Sequence, residues 1–195
     1  MHTAPRLNVF TLANIITALR ILVAPIFSFL LVQDNPWCYV WAFVLFVAAA
    51  LTDFVDGVLA RRFGEISEIG IFLDPLADKI LVLSALFGFV MLDLVPLWMV
   101  AIVVVRDIVA TVLRVWSWSE GKTLRPTRTA KWKTFAQMGF VSAVLAVVTL
   151  ASWTETTLSR RAREVIESGA IEIAMGLLAA LTLVSLAGYL RRTDQ

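Results

Sequence analysis

The chain has 195 residues, of which 59% are hydrophobic and only 16% charged, with a mean hydropathy of +0.84. An ordinary soluble domain carries about a quarter charged residues, so this much apolar surface cannot be hidden in a water-soluble core of this size. Disorder, a soluble enzyme and a nucleic-acid binder are excluded. The net charge of +2 is small, and the lone Cys38 excludes internal disulfides and cysteine-cluster metal sites.

Residues Ala4 to Leu12 read as a short interfacial helix, since Leu7, Val9, Phe10 and Leu12 can face lipid. Six apolar segments follow. The first runs from about Ile15 to Val32; Arg20 interrupts it and it lacks a small-residue cleavage site, so it is expected to stay in the mature protein. Asp34-Asn35-Pro36 makes a turn, and the second segment, about Trp37 to Leu59, carries Asp53 and Asp56. A polar stretch, Arg61 to Glu68, leads to the third, which begins near Gly70, carries Asp74 and Asp78 early and is apolar to Leu92. After Asp93 and Pro96 the fourth runs from about Leu97 to Trp118, with Arg106, Asp107 and Arg114 inside it. A basic loop, Lys122 to Lys133, precedes the fifth segment, about Phe135 to Trp153. A polar link, Thr154 to Ser168, separates it from the sixth, about Ala170 to Leu190.

At about 20 residues per span, six spans use about 120 of the 195 residues. The expected fold is an all-α integral membrane protein: six transmembrane helices and a short N-terminal interfacial helix, forming one membrane domain over residues 1–195. Charge orients it. With the N-terminus cytosolic, that side collects Arg6, Arg20, Arg61, Arg62, Lys79, Lys122, Arg125, Arg128, Lys131, Lys133, Arg191 and Arg192. The opposite side holds only Arg160, Arg161 and Arg163, offset by Glu155, Glu164 and Glu167. Positive residues favour the cytosolic side, so both termini are expected there. The arginines at 160–163 are a local exception.

Four aspartates lie in or beside apolar segments, where a carboxylate at mid-bilayer costs about 2.5–3.5 kcal/mol on insertion scales. Asp53 and Asp56 are spaced i,i+3, and Asp74 and Asp78 i,i+4, so each pair shares one helix face. Two helices joined by a short polar link can gather all four. Four unpaired anions repel in a low dielectric, and hard divalent cations such as Mg2+ or Mn2+ resolve that conflict through oxygen ligands. No His or Cys lies in the cluster, which argues against zinc. Pairing with Arg61, Arg62 and Lys79 accounts for any one acid, but poorly for four on matched faces.

Residues Asp53, Asp56, Gly57, Ala60, Arg61, Gly70, Asp74 and Asp78 fit D-x-x-D-G-x-x-A-R-x(8)-G-x-x-x-D-x-x-x-D at all eight fixed positions, over 26 residues. This resembles the signature of the CDP-alcohol phosphatidyltransferase family. The resemblance implies a membrane enzyme in which a CDP-linked lipid donates its phosphatidyl group to an alcohol and CMP leaves. It further implies that Asp53, Asp56, Asp74 and Asp78 hold two divalent metals, Mg2+ or Mn2+, and that Asp78 is also the general base. Gly57, Ala60, Arg61 and Gly70 would bind the CDP moiety: Gly57 and Ala60 by allowing close approach, Arg61 at the diphosphate, Gly70 beside the cytidine. Small residues such as Gly57 and Gly70 also serve helix packing in membranes. Homodimers are common in the family.

A second cluster, Arg106, Arg114, Thr129, Lys131, Lys133 and Thr134, reads as a site for a phosphorylated acceptor. For Lys122, Arg125 and Arg128 attraction to anionic headgroups suffices, and Arg106 has the alternative of pairing with Asp107 or with the aspartate cluster. The segments Asn14–Arg20 and Thr129–Met138 resemble the bacterial branch of the family that joins CDP-diacylglycerol to sn-glycerol 3-phosphate. Asp107 departs from that branch, where Glu is expected after the arginine. The Arg-Asp pair resembles the branch that makes cardiolipin from phosphatidylglycerol; an inositol-phosphate acceptor ranks third. An ion-coupled transporter also needs intramembrane acids, but it would more naturally place them mid-span within inverted repeats, and none is evident.

Overall fold

A computed structural model describes the backbone of residues 12–63, 68–119, 128–153 and 156–193, and the side chains of 21–52, 79–112, 132–153 and 156–186. The expected interfacial helix, Ala4 to Leu12, falls outside the described residues except at its last position. The described residues form seven helices: α1 (Leu12–Leu31), α2 (Pro36–Phe63), α3 (Glu68–Met91), α4 (Leu97–Ser119), α5 (Arg128–Ala151), α6 (Thr157–Glu167) and α7 (Ala170–Thr193). Six of them coincide with the six apolar segments. The polar link after the fifth segment is helical from Thr157 to Glu167, as α6. The second half of the basic loop is helical too, since α5 begins at Arg128; Lys131 and Lys133 are therefore helix residues.

The turns explain where the helices stop. Asn35 caps α2, its Oδ1 accepting from the Trp37 N–H at 2.9 Å, and Pro36 occupies the first helical position, where its missing N–H costs nothing. At the end of α3 the Leu94 N–H donates to the Phe89 carbonyl at 2.9 Å and the Asp93 N–H to the Val90 carbonyl at 3.0 Å. Asp93 sits at φ +55°, the left-handed position that closes this kind of helix end. Thr156 and Ser159 cap α6 reciprocally, side chain to backbone in both directions. Gly169, at φ +72°, separates α6 from α7, and the two axes differ by 55°.

The chain divides into two compact units, residues 1–85 and 86–195. In the first, α1 packs on α2. Ala24, Phe27 and Leu31 from α1 and Tyr39, Ala42 and Phe46 from α2 are buried, and the Phe27 and Phe46 rings lie 6.0 Å apart. In the second, α7 packs against α4, α5 and α6, and α5 also packs against α6. Its apolar core contains Met99, Val100, Val103, Val141, Leu145, Val148, Met175 and Leu178. Phe89 meets Phe140 edge-on at 6.3 Å. Arg163 of α6 caps α5, its Nε donating to the Ala151 carbonyl at 3.0 Å and its Nη2 to the Trp153 carbonyl at 3.1 Å.

Among the described residues, Trp132–Ala151 is by itself long and apolar enough to cross a bilayer. Thr157–Glu167 and Ala170–Leu186 pass the same test only together, as a bent pair, and Ile21–Leu31, Pro36–Thr52 and Lys79–Met91 are shorter apolar helices.

Candidate functional site

The signature residues fall on two consecutive helices. Asp53, Asp56, Gly57, Ala60 and Arg61 lie in the last part of α2, and Gly70, Asp74 and Asp78 in the first half of α3. Both stretches are helical, as the spacing argument requires, so each aspartate pair occupies one face of its helix. The side chains of these eight residues lie outside the described ones, as do those of Arg114, Thr129 and Lys131. Among the described residues no group of three or more His, Cys, Asp or Glu could hold a metal ion. The carboxylate reading thus rests on helical register and on the chemistry of the donor set.

Of the predicted acceptor residues whose side chains are described, Arg106, Lys133 and Thr134, the first two come together in the second unit. Both meet Asp107. The Arg106 Nη1 donates to Asp107 Oδ1 at 3.1 Å, and the Lys133 ammonium, from the second turn of α5, donates to the same oxygen. The other two guanidinium nitrogens of Arg106 turn to α7: Nε donates to the Thr182 carbonyl at 3.0 Å and Nη2 to Ser185 Oγ at 2.8 Å. Its own helix and α7 therefore fix one arginine, each of its nitrogens donating once. Two cations share one carboxylate, which leaves this trio with one positive charge in excess.

The cluster is deeply buried: Arg106 is 8% exposed, Asp107 7%, Lys133 4% and the neighbouring Gln137 6%. The reason is visible in the helix patterns. Along α5 the buried positions run Lys133, Gln137, Val141, Val144, Leu145 and Val148; along α7 they run Ile171, Met175, Leu178, Ala179, Thr182 and Ser185. Along α4 Met99, Val100 and Val103 precede Arg106 and Asp107. Each buried stripe changes from apolar to polar, and the hydrogen bonds above bring those polar stretches to one end of the bundle.

Sequence reading singled out Arg106 and Lys133 and offered Asp107 as a partner for Arg106, but assigned nothing to Thr182, Ser185 or Gln137. An isolated hydroxyl in an apolar span ordinarily bonds a carbonyl one turn back, as Thr182 Oγ1 does to the Ala179 carbonyl at 2.7 Å. It is the Thr182 carbonyl that serves Arg106, and sequence gives no sign of that. Thr134, also in the predicted cluster, is exposed.

The family model for CDP-alcohol phosphatidyltransferases matches residues 10–186. A Bacillus subtilis (strain 168) protein named CDP-diacylglycerol--glycerol-3-phosphate 3-phosphatidyltransferase is 37% identical over 148 residues, covering 70% of this chain and 77% of its own length. A Pseudomonas fluorescens protein of the same name is 40% identical over 139 residues, covering 68% and 71%. A Streptomyces coelicolor protein named cardiolipin synthase (CMP-forming) is 32% identical over 109 residues, covering 54% and 51%.

Proposed function

The chain belongs to the CDP-alcohol phosphatidyltransferase family, and from that premise we propose that it transfers a phosphatidyl group from CDP-diacylglycerol to sn-glycerol 3-phosphate, forming phosphatidylglycerophosphate and releasing CMP. The observation that carries the choice of acceptor is the buried, net-positive trio of Arg106, Lys133 and Asp107. Such a group suits a small phosphorylated acceptor, and the relatives of higher identity carry that acceptor in their names.

In the reaction the acceptor's C1 hydroxyl oxygen attacks the phosphatidyl phosphorus. The bond from that phosphorus to the bridging oxygen breaks, CMP leaves with the electron pair, and Asp78 takes the hydroxyl proton. Arg61 binds the diphosphate, and Gly57, Ala60 and Gly70 make room for the nucleotide. Arg106, Arg114, Thr129, Lys131 and Lys133 receive the acceptor's phosphate. The donor set of Asp53, Asp56, Asp74 and Asp78 is all oxygen and strongly anionic, which fits two Mg2+ or Mn2+ ions and not zinc. When bound, these ions supply neutralisation of the charge that builds on the diphosphate.

The exposed surface supports a membrane setting. Leu22, Phe29, Trp41, Val105, Leu177 and Val184 are exposed while Arg106, Asp107 and Lys133 are buried, the reverse of what water selects. The reading is six spans in the cell's inner (plasma) membrane, both termini and the active site facing the cytosol, in a homodimer.

The test is purified protein given CDP-diacylglycerol with glycerol 3-phosphate, phosphatidylglycerol or inositol phosphate, read by product mass. Phosphatidylglycerophosphate should form with Mg2+ or Mn2+ and cease with chelator. Asp78→Asn should abolish turnover while donor binding largely survives; near-normal rates in that variant remove Asp78 as the base. Cardiolipin as product would favour the second reading, which the Arg106-Asp107 pair and the Streptomyces relative support. Ion flux without CMP would point to a transporter.

A further inference from the structure

Gln137 is one turn beyond Lys133 on the buried face of α5 and is 6% exposed. Its carboxamide makes no hydrogen bond to any described residue. A buried amide left without partners is unfavourable, and an apolar residue of its size would fill the place at less cost. Val141, the next buried position on the same face, shows what that stripe otherwise holds. Gln137 thus differs from the buried polar groups around it: Arg106, Asp107, Lys133, Thr182 and Ser185 are all engaged.

We infer that Gln137 is an acceptor-binding residue whose carboxamide holds the hydroxyl of a small phosphopolyol that does not react. The inference rests on the acceptor reading given above. That reading gives the acceptor's phosphate to the Arg106–Lys133 cations and the proton of its C1 hydroxyl to Asp78, which leaves the C2 hydroxyl as the one polar group of the acceptor with no residue assigned to it. A hydroxyl both donates and accepts, and a carboxamide offers both functions from one side chain. Four residues along a helix advance about 6 Å, so Gln137 lies one turn from Lys133, close enough to serve the hydroxyl on the carbon next to the one that bears the phosphate. A site built to pair a hydroxyl rejects the analogue that lacks it, because its own polar group is then left bare.

The experiment compares glycerol 3-phosphate with 3-hydroxypropyl phosphate, which keeps the phosphate and the reacting hydroxyl but lacks the C2 hydroxyl. The full chain, in lipid nanodiscs with CDP-diacylglycerol and Mg2+, should prefer glycerol 3-phosphate by about tenfold or more in kcat/KM. In Gln137→Leu that ratio should fall to within about twofold, through a raised KM for glycerol 3-phosphate, with the KM for CDP-diacylglycerol unchanged and thermal stability equal or higher. If the Leu variant does not purify, Gln137→Met serves for the same ratio. A wild-type ratio retained in either variant, or no discrimination by the wild-type chain, overturns the role of Gln137. Wild-type protein that uses neither phosphopolyol but converts phosphatidylglycerol overturns the acceptor reading itself, and the inference with it.

Discussion

The two ends of the α4–α5–α7 bundle are built on opposite terms. At one end the buried side chains are apolar: Met99, Val100, Leu145, Val148 and Met175. A Cβ at Gly176 would lie 3.7 Å from the Met99 methyl carbon, an ordinary packing contact. At the other end the same three helices bury an arginine, a lysine, an aspartate and an amide. The apolar end obtains its stability from contact area, which tolerates a change of shape at moderate cost. The polar end obtains little net stability from its charges, since desolvation offsets their attraction. What it gains is a fixed orientation of cationic groups, and each member depends on the others being present.

The contrast can be tested by breaking each end in turn. Asp107→Ala removes the anion that Arg106 and Lys133 share and should cost about 3–5 kcal/mol, read as a fall in unfolding midpoint in detergent; a loss below about 1 kcal/mol would mean that the two buried cations do not depend on Asp107. Met175→Ala, at the apolar end, should cost about 2–4 kcal/mol by cavity formation in the same measurement, with the KM for glycerol 3-phosphate held near wild type. A raised KM there would show that the two ends are coupled. Smallest is Thr156→Ala, which removes half of the reciprocal cap on α6. It belongs to neither end, and about 1 kcal/mol of stability with no change in either substrate's KM is the expected result.

Much of this architecture is legible in the chain. Six helices were located by hydropathy, and the helical register of Asp53, Asp56, Asp74 and Asp78 agrees with their spacing. What hydropathy could not show is α6. Its sequence TLSRRAREVIE holds three arginines and two glutamates, so it reads as a loop to any average of apolarity, although Ser159 and Ala162 form a small buried edge. For the same reason hydropathy assigns Lys131 and Lys133 to a loop. The partnership of Arg106 with Ser185 was illegible for a different one: the residues are 79 apart in sequence, and nothing local marks which hydroxyl a distant arginine will find. Gln137 is a lone amide in an apolar helix. Its position on the buried stripe emerges only when the period is counted from Lys133.

Arg163 bears on how such a protein threads itself into a bilayer. On the topology proposed above it stands on the trans side, where a guanidinium opposes the electrical bias that sorts loops during insertion. That opposition acts while the chain is still being delivered, before any corner has formed. Once α5 and α6 meet, the same group satisfies two main-chain oxygens that would otherwise depend on water. A residue unfavourable to the journey is thus favourable to the destination, and simple tallies of basic residues per side will misjudge any hairpin closed in this way.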